Sequence, residues 1–222
     1  MTSFADLEIA YNRLLAAHPP VVSAGQANDA FEIYVLTLVL RAAEEEGAMI
    51  SFRSAMGITN PSPLRFRTAP GRIFSKTHDY SHAHIGFLNG LTFEAHIGVY
   101  VEGLAGVPHE CDVMVVEASE GEFCRMNHVH PKKMNVVLTA ECKFYTGKLG
   151  IDLGRQFLGV TADLGSEGRF FLSNSDGRSV DRVLAHHKRQ RFFGLTPLTK
   201  DTEDQVVAQF RTTFRNLKAK RR

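Results

Sequence analysis

The chain has 222 residues, 23% of them charged and 44% hydrophobic, with a formal net charge of +2 and three cysteines. That is enough to bury a core without disulfides or structural metals, and the net charge is too close to zero to single out a partner. No apolar run reaches the length needed to span a bilayer. The N-terminus, Met1 to Asp6, has neither a basic nor an apolar leader region, and an odd cysteine count without CxxC pairs points to a reducing cytoplasm.

Taken in order, residues 3–17 read as a short amphipathic helix with Leu7, Ile9, Leu14 and Leu15 as its apolar positions, ended by Pro19-Pro20. A polar loop through Ser23, Gly25 and Asn28 leads to a helix from about Asp29 to Gly47. That helix is apolar nearly all round, so it is expected to be buried. Its acidic last turn, Glu44-Glu45-Glu46, opposes the helix dipole and is expected to be exposed. Asp29 and Glu32 have capping-box spacing; the alternative is that Glu32 looks into a site.

Arg65-Phe66-Arg67 alternates like a strand, and Pro70-Gly71 marks a turn. Tyr80 to Phe87 and Leu91 to Val101 read as strands joined at Asn89-Gly90, with Phe93, Ala95, Ile97 and Val99 on one side. Cys111 to Val116 is a further strand, Ala118 to Lys133 a polar loop, and Val136 to Tyr145 a strand. Leu149 to Leu164 is expected to be a helix and Arg169 to Ser173 a short strand. Ser179 is expected to cap a helix running through His187, and Thr202 to Lys220 to form the last one. The basic stretches at 186–191 and 211–222 suit either phosphate contacts or solvated ends. Strands with one helical crossover imply an α/β fold with a mixed sheet flanked by helices, in a single domain spanning 1–222.

Two of these strands carry charge where a buried strand should not: Asp112 on one, Glu141 and Lys143 on the other. Side chains alternate along a strand, so Glu141 and Lys143 share a face and Cys142 takes the other. A buried charge is costly unless paired or metal-bound. The bland reading is a salt bridge. The sharper one is a divalent-metal centre, because Mg²⁺ takes hard oxygen ligands such as Asp112, Glu141 and the carbonyl of Cys142. Lys143 would then serve the phosphate or the attacking water in phosphodiester hydrolysis.

Asp112, followed 29 residues later by Glu141-Cys142-Lys143 with a helix and a strand behind, resembles the PD-(D/E)xK nuclease superfamily. The resemblance spans residues 28–175 and is one of short motifs in order. It implies a restriction-endonuclease-like αβββαβ core and leaves outside it the N-terminal helical arm, the Ser51–Phe87 insertion and a C-terminal helical extension over 176–222. It also implies Mg²⁺ as cofactor, with Mn²⁺ able to substitute, and DNA as substrate, with RNA as the alternative. Members carry a Glu on the first core helix and a Gln on the helix after the Lys, the places of Glu32 and Gln156. A homodimer, a partner ATPase and a role in restriction or defence are expectations of the resemblance alone.

Two rivals stand beside it. His82-Ala83-His84 and His128-Val129-His130 could place imidazole pairs for Zn²⁺ or Fe²⁺, with His96 or His109 adding a ligand, as in a cupin-like or hydrolytic site. The other rival is a nucleic-acid-binding module without catalysis. Serine-nucleophile and phosphate-loop motifs are absent from the sequence.

Overall fold

The structure is a computed structural model that describes residues 2–22 and 25–220. Met1, Ser23 of the anticipated loop and Arg221 and Arg222 of the basic end lie outside the described residues. The chain folds around a seven-stranded mixed sheet: β1 (Ala48–Ser54), β2 (Ser81–Phe87), β3 (Thr92–Glu102), β4 (Pro108–Glu117), β5 (Val136–Lys143), β6 (Arg169–Ser173) and β7 (Gln190–Phe192). Strand order in space is strand order in sequence. β1 to β5 are antiparallel neighbours; β5, β6 and β7 run parallel. Each parallel step needs a crossover, and α4 (Ile151–Leu164) and α5 (Arg178–His186) supply the two.

One face of the sheet packs on α2 (Ala27–Glu45), with α1 (Phe4–Leu14) and α6 (Lys200–Lys220) behind and beside it. α2 buries residues all round its middle turns, as its apolar sequence requires. α1 is fixed by a Ser3–Asp6 capping box and buries Leu7, Ala10 and Tyr11. Ile9 is 68% exposed, against expectation, because the i, i+3, i+4 stripe runs through those three residues and leaves position 9 on the far side. The second face carries α3 (Ala118–Asn127) and α4 over a smaller apolar cluster that includes Val99, Cys111, Met114 and Leu164.

Several expectations are corrected. α2 starts before Asp29, so Asp29 caps it by accepting the Gln26 N–H at 3.2 Å, and Glu32 has no capping duty. Glu44 and Glu45 of the acidic end of α2 are exposed as expected, but Glu46 is covered by α6. Glu46 is held by Arg211, Arg215 and Lys218 of α6, and Glu45 by Arg41 and Arg211. Much of the C-terminal basic stretch is therefore spent inside the molecule. Arg65-Phe66-Arg67 forms no strand; Arg67 instead turns inward, donates to the Arg72 carbonyl and lies 4.3 Å from the centre of the Tyr80 ring. The supposed loop after residue 118 is α3, whose helical face buries only Gly121 and Cys124 and so carries too little apolar signal to read. Gly177, not Ser179, precedes α5. β1 and β7 have no counterpart in the sequence reading, so four strands rather than three precede β5, and α3 stands between β4 and β5. All three cysteines are buried and unpaired. Among the described residues, no helix is long and apolar enough to cross a membrane.

Candidate active site

The β4–β5 ladder runs from Val116↔Val136 to Val113↔Ala140 and stops. One residue further, Asp112 Oδ2 accepts the backbone N–H of Cys142 at 2.7 Å. A side chain thus takes the place of a ladder carbonyl, and the strands part at a fork. Glu141 and Lys143 lie on β5 at this fork. The Lys143 ammonium is 2.6 Å from Glu141 Oε1 and 3.5 Å from Asp112 Oδ2. The three residues singled out from sequence are therefore together.

A backbone irregularity aims Asp112. The β3–β4 register passes from Ile97↔Val113 to Val99↔Cys111, leaving Gly98 and Asp112 between them. Ile97 and Val113 belong to the main core, whereas Val99 and Cys111 belong to the cluster on the other face. Strict alternation would put residues two apart on one face, so the faces switch at Gly98 and Asp112. Gly98 has φ +60°, and a β-carbon there would lie 3.3 Å from the Ala69 carbonyl oxygen. Sequence alternation placed Val99 with Ile97 and so missed this switch; the glycine was its only trace.

The fork is electrostatically overloaded with acid. Asp112 is 7% exposed, and burial, with the Glu141 charge, pushes its carboxyl up to about 7 despite Lys143 and the Cys142 N–H. Glu32, half-buried on α2, is pushed up to about 9 by burial and then by Asp112, Asp29 and Glu110. Glu110, on the first residues of β4, is also raised by burial and by Glu141. Burial lowers the Lys143 ammonium, but Asp112 and Glu141 outweigh it and hold the proton on. The site is one ammonium among four carboxyl groups, two of which cannot readily ionise together.

The remaining expected residues divide. Glu32 shares the field of Asp112 and Lys143. The Cys142 thiol packs in the main core, opposite to Glu141, as alternation requires. Gln156 is exposed on α4, and no hydrogen bond joins it to the cluster. His109 lies on β4, opposite Val101, rather than in a turn: its Nε2 lies 2.7 Å from Asp163 Oδ2, and Asp163 also accepts the Ala105 N–H.

The histidine pairs do not converge. His82 and His84 share a face of β2, as their spacing requires, but His82 stacks on His96 with ring centres 4.7 Å apart. Beside them lies a buried charge that sequence reading passed over. Glu94, 2% exposed, accepts both guanidinium N–H groups of Arg125 at 2.5 and 2.7 Å and sits 3.0 Å from His96 Nε2. His128 caps α3 and stacks on Phe74, and His130 packs against Phe74 and Tyr100. Among the described residues no three His, Cys, Asp or Glu side chains are placed to hold one ion. At the fork, Lys143 stands between the two carboxylates that would do so.

Comparison of the chain with family models, with curated proteins and with solved structures finds no match.

Proposed function

We propose that the chain is a divalent-cation-dependent endonuclease of the PD-(D/E)xK kind, acting on DNA. The observation that carries the reading is the fork itself: Asp112, Glu141 and Lys143 gathered where β4 and β5 separate. Sheet and helices support it, since α2, β3, β4, β5, α4 and β6 follow one another in the αβββαβ order of a restriction-endonuclease-like core, with β1, β2 and α3 as additions.

The donor set suits Mg²⁺ or Mn²⁺. Asp112 and Glu141 offer hard carboxylate oxygens, the Cys142 carbonyl would be the third ligand, and Glu32 would add negative charge once a cation displaced its proton. Such a cation, when bound, offsets charge on the phosphate and makes water a better nucleophile at neutral pH. The chain's own residues do the rest. The Cys142 N–H fixes the Asp112 carboxylate in one orientation. Lys143, with its proton held on by its neighbours, presents a permanent positive charge to the scissile phosphate. Glu32 keeps its proton at neutral pH until positive charge arrives.

Plasmid cleavage in Mg²⁺ tests the assignment. Wild type cleaves; Asp112→Asn and Lys143→Met do not; Gln156→Ala, altered at an exposed position, does. Equal cleavage by wild type and both fork variants sinks the assignment.

A further inference from the structure

The face of β1, β2 and β3 turned away from α2 is polar, and α3 covers it only along β3. Arg53 lies opposite His82 in the β1–β2 register, and His84 lies opposite Glu94 in β2–β3, so these side chains share that face. Their sequence neighbours Phe52, Ala83 and Ala95 lie in the main core on the other side. Arg125 of α3 and Lys76 of the segment before β2 close the face into a cleft of about 740 Å³. That is within the roughly 300–1,000 Å³ typical of small-molecule sites.

Its charges are unevenly spent. Arg125 is neutralised by Glu94. Arg53 and Lys76 are exposed, and among the described residues neither side chain has a hydrogen bond or an ion pair. Arg53 lies across from His82, and burial first, with Arg53 among the neighbouring charges, disfavours a positive charge on His82 and His84. On the floor of the cleft, His82 Nε2 is buried without a hydrogen-bond partner, 3.7 Å from Glu94 Oε1. Glu122 is the other acid on the wall, and it is exposed. Arg53 on the sheet face and Lys76 on the wall leave the cleft with two unpaired cations, which an anion would offset, and the neutral imidazoles beside them can donate to it.

We propose that this cleft binds a phosphorylated small molecule of nucleotide size, its phosphate held by Arg53, Lys76 and His84. Met56 and Met126, exposed on the walls, supply apolar surface for the remainder of such a ligand. The site is separate from the β4–β5 fork, and the proposal stands or falls independently of nuclease activity.

Imidazole ¹H–¹⁵N NMR spectra of the full chain test it, with inorganic phosphate and adenosine 5′-monophosphate as probes. The monophosphate is expected to shift the His82 and His84 signals saturably, and inorganic phosphate to do so more weakly. In R53Q/K76Q, altered only at exposed positions, affinity for the monophosphate is expected to fall at least about tenfold. Asp112→Asn is expected to bind as wild type does. No saturable shift, an equal shift in R53Q/K76Q, or saturation by phosphate but not by the monophosphate overturns the proposal. A response only to a single-stranded oligonucleotide also overturns it, in favour of a nucleic-acid surface.

Discussion

Asp112 takes a hydrogen bond from the backbone of the strand beside it, accepting the Cys142 N–H at 2.7 Å, with the Lys143 ammonium farther off at 3.5 Å. This bond ties the carboxylate to the residue between Glu141 and Lys143. It also means that the charge of Asp112 and its role as an acceptor can be separated by substitution.

Asp112→Asn keeps the acceptor and removes the buried charge. The folded-state carboxyl is raised, from 3.8 to about 7, so the stability it contributes is present below about pH 4 and is lost as pH rises through about 7. Without divalent cations the variant is therefore expected to be more stable than wild type at pH 8, by about 1–3 kcal/mol. The gain should shrink toward pH 5. Urea unfolding at the two pH values measures this, and a gain larger at pH 5 contradicts it.

Mg²⁺ and protons should compete for the fork. Asp112 and Glu32 both hold protons more tightly than free carboxyl groups do, so Mg²⁺ has to displace them. The rise in Tm on adding Mg²⁺ is expected to be larger at pH 8.5 than at pH 5.5, and to vanish in Asp112→Asn. A thermal melt in 5 mM MgCl₂, about a typical assay concentration, gives the comparison. A pH-independent rise places the cation elsewhere.

Arg125→Leu leaves Glu94 buried without its guanidinium partner. Burial raises the Glu94 carboxyl, but Arg125 and His96 outweigh burial and hold it well below its ordinary value. Losing the partner of a buried pair costs about 3–5 kcal/mol. The partly exposed Arg125 places the expected loss near the lower end. Glu94→Gln in the same chain should recover most of it, because the uncompensated charge goes too. Denaturant midpoints of the single and double variants decide.

Gly98→Ala tests the switch that aims Asp112. At φ +60° a side chain is strained, and its β-carbon would crowd Ala69 and Arg67 at 3.3 Å. A loss of about 1–3 kcal/mol is expected, together with reduced cleavage by chains that remain folded. Wild-type stability and activity in this variant would show that the switch does not position Asp112.

Local pattern carried far where one segment alone decides a property. The apolar run of α2 announced its burial, and Asn89-Gly90 announced the β2–β3 turn, where Gly90 takes φ +84°. Arg169 to Ser173 was legible as a strand to the residue. α3 was not, since a helix resting on two small buried residues has almost no apolar stripe to display. β7 is only three residues long and is held by β6. Glu94 is visible in the sequence only as the polar side of an alternating strand, and its partner Arg125 lies 31 residues away on α3, whose sequence has the polarity of a loop.

By itself, the sequence determined that Asp112, Glu141 and Lys143 are charges set among buried strand residues, and that Glu141 and Lys143 point the same way. Alternation is a local property of an extended backbone, so it needs no knowledge of neighbours. Only the tertiary structure decided that β4 and β5 part at Asp112, that the strands switch faces at Gly98 and Asp112, and that α2 brings Glu32 within the field of Asp112 and Lys143. It also decided that the basic face of α6 closes on the acidic end of α2. Each of these depends on which residue lies across from another, and strand register and long-range charge pairing are set when the elements pack together, not along the chain.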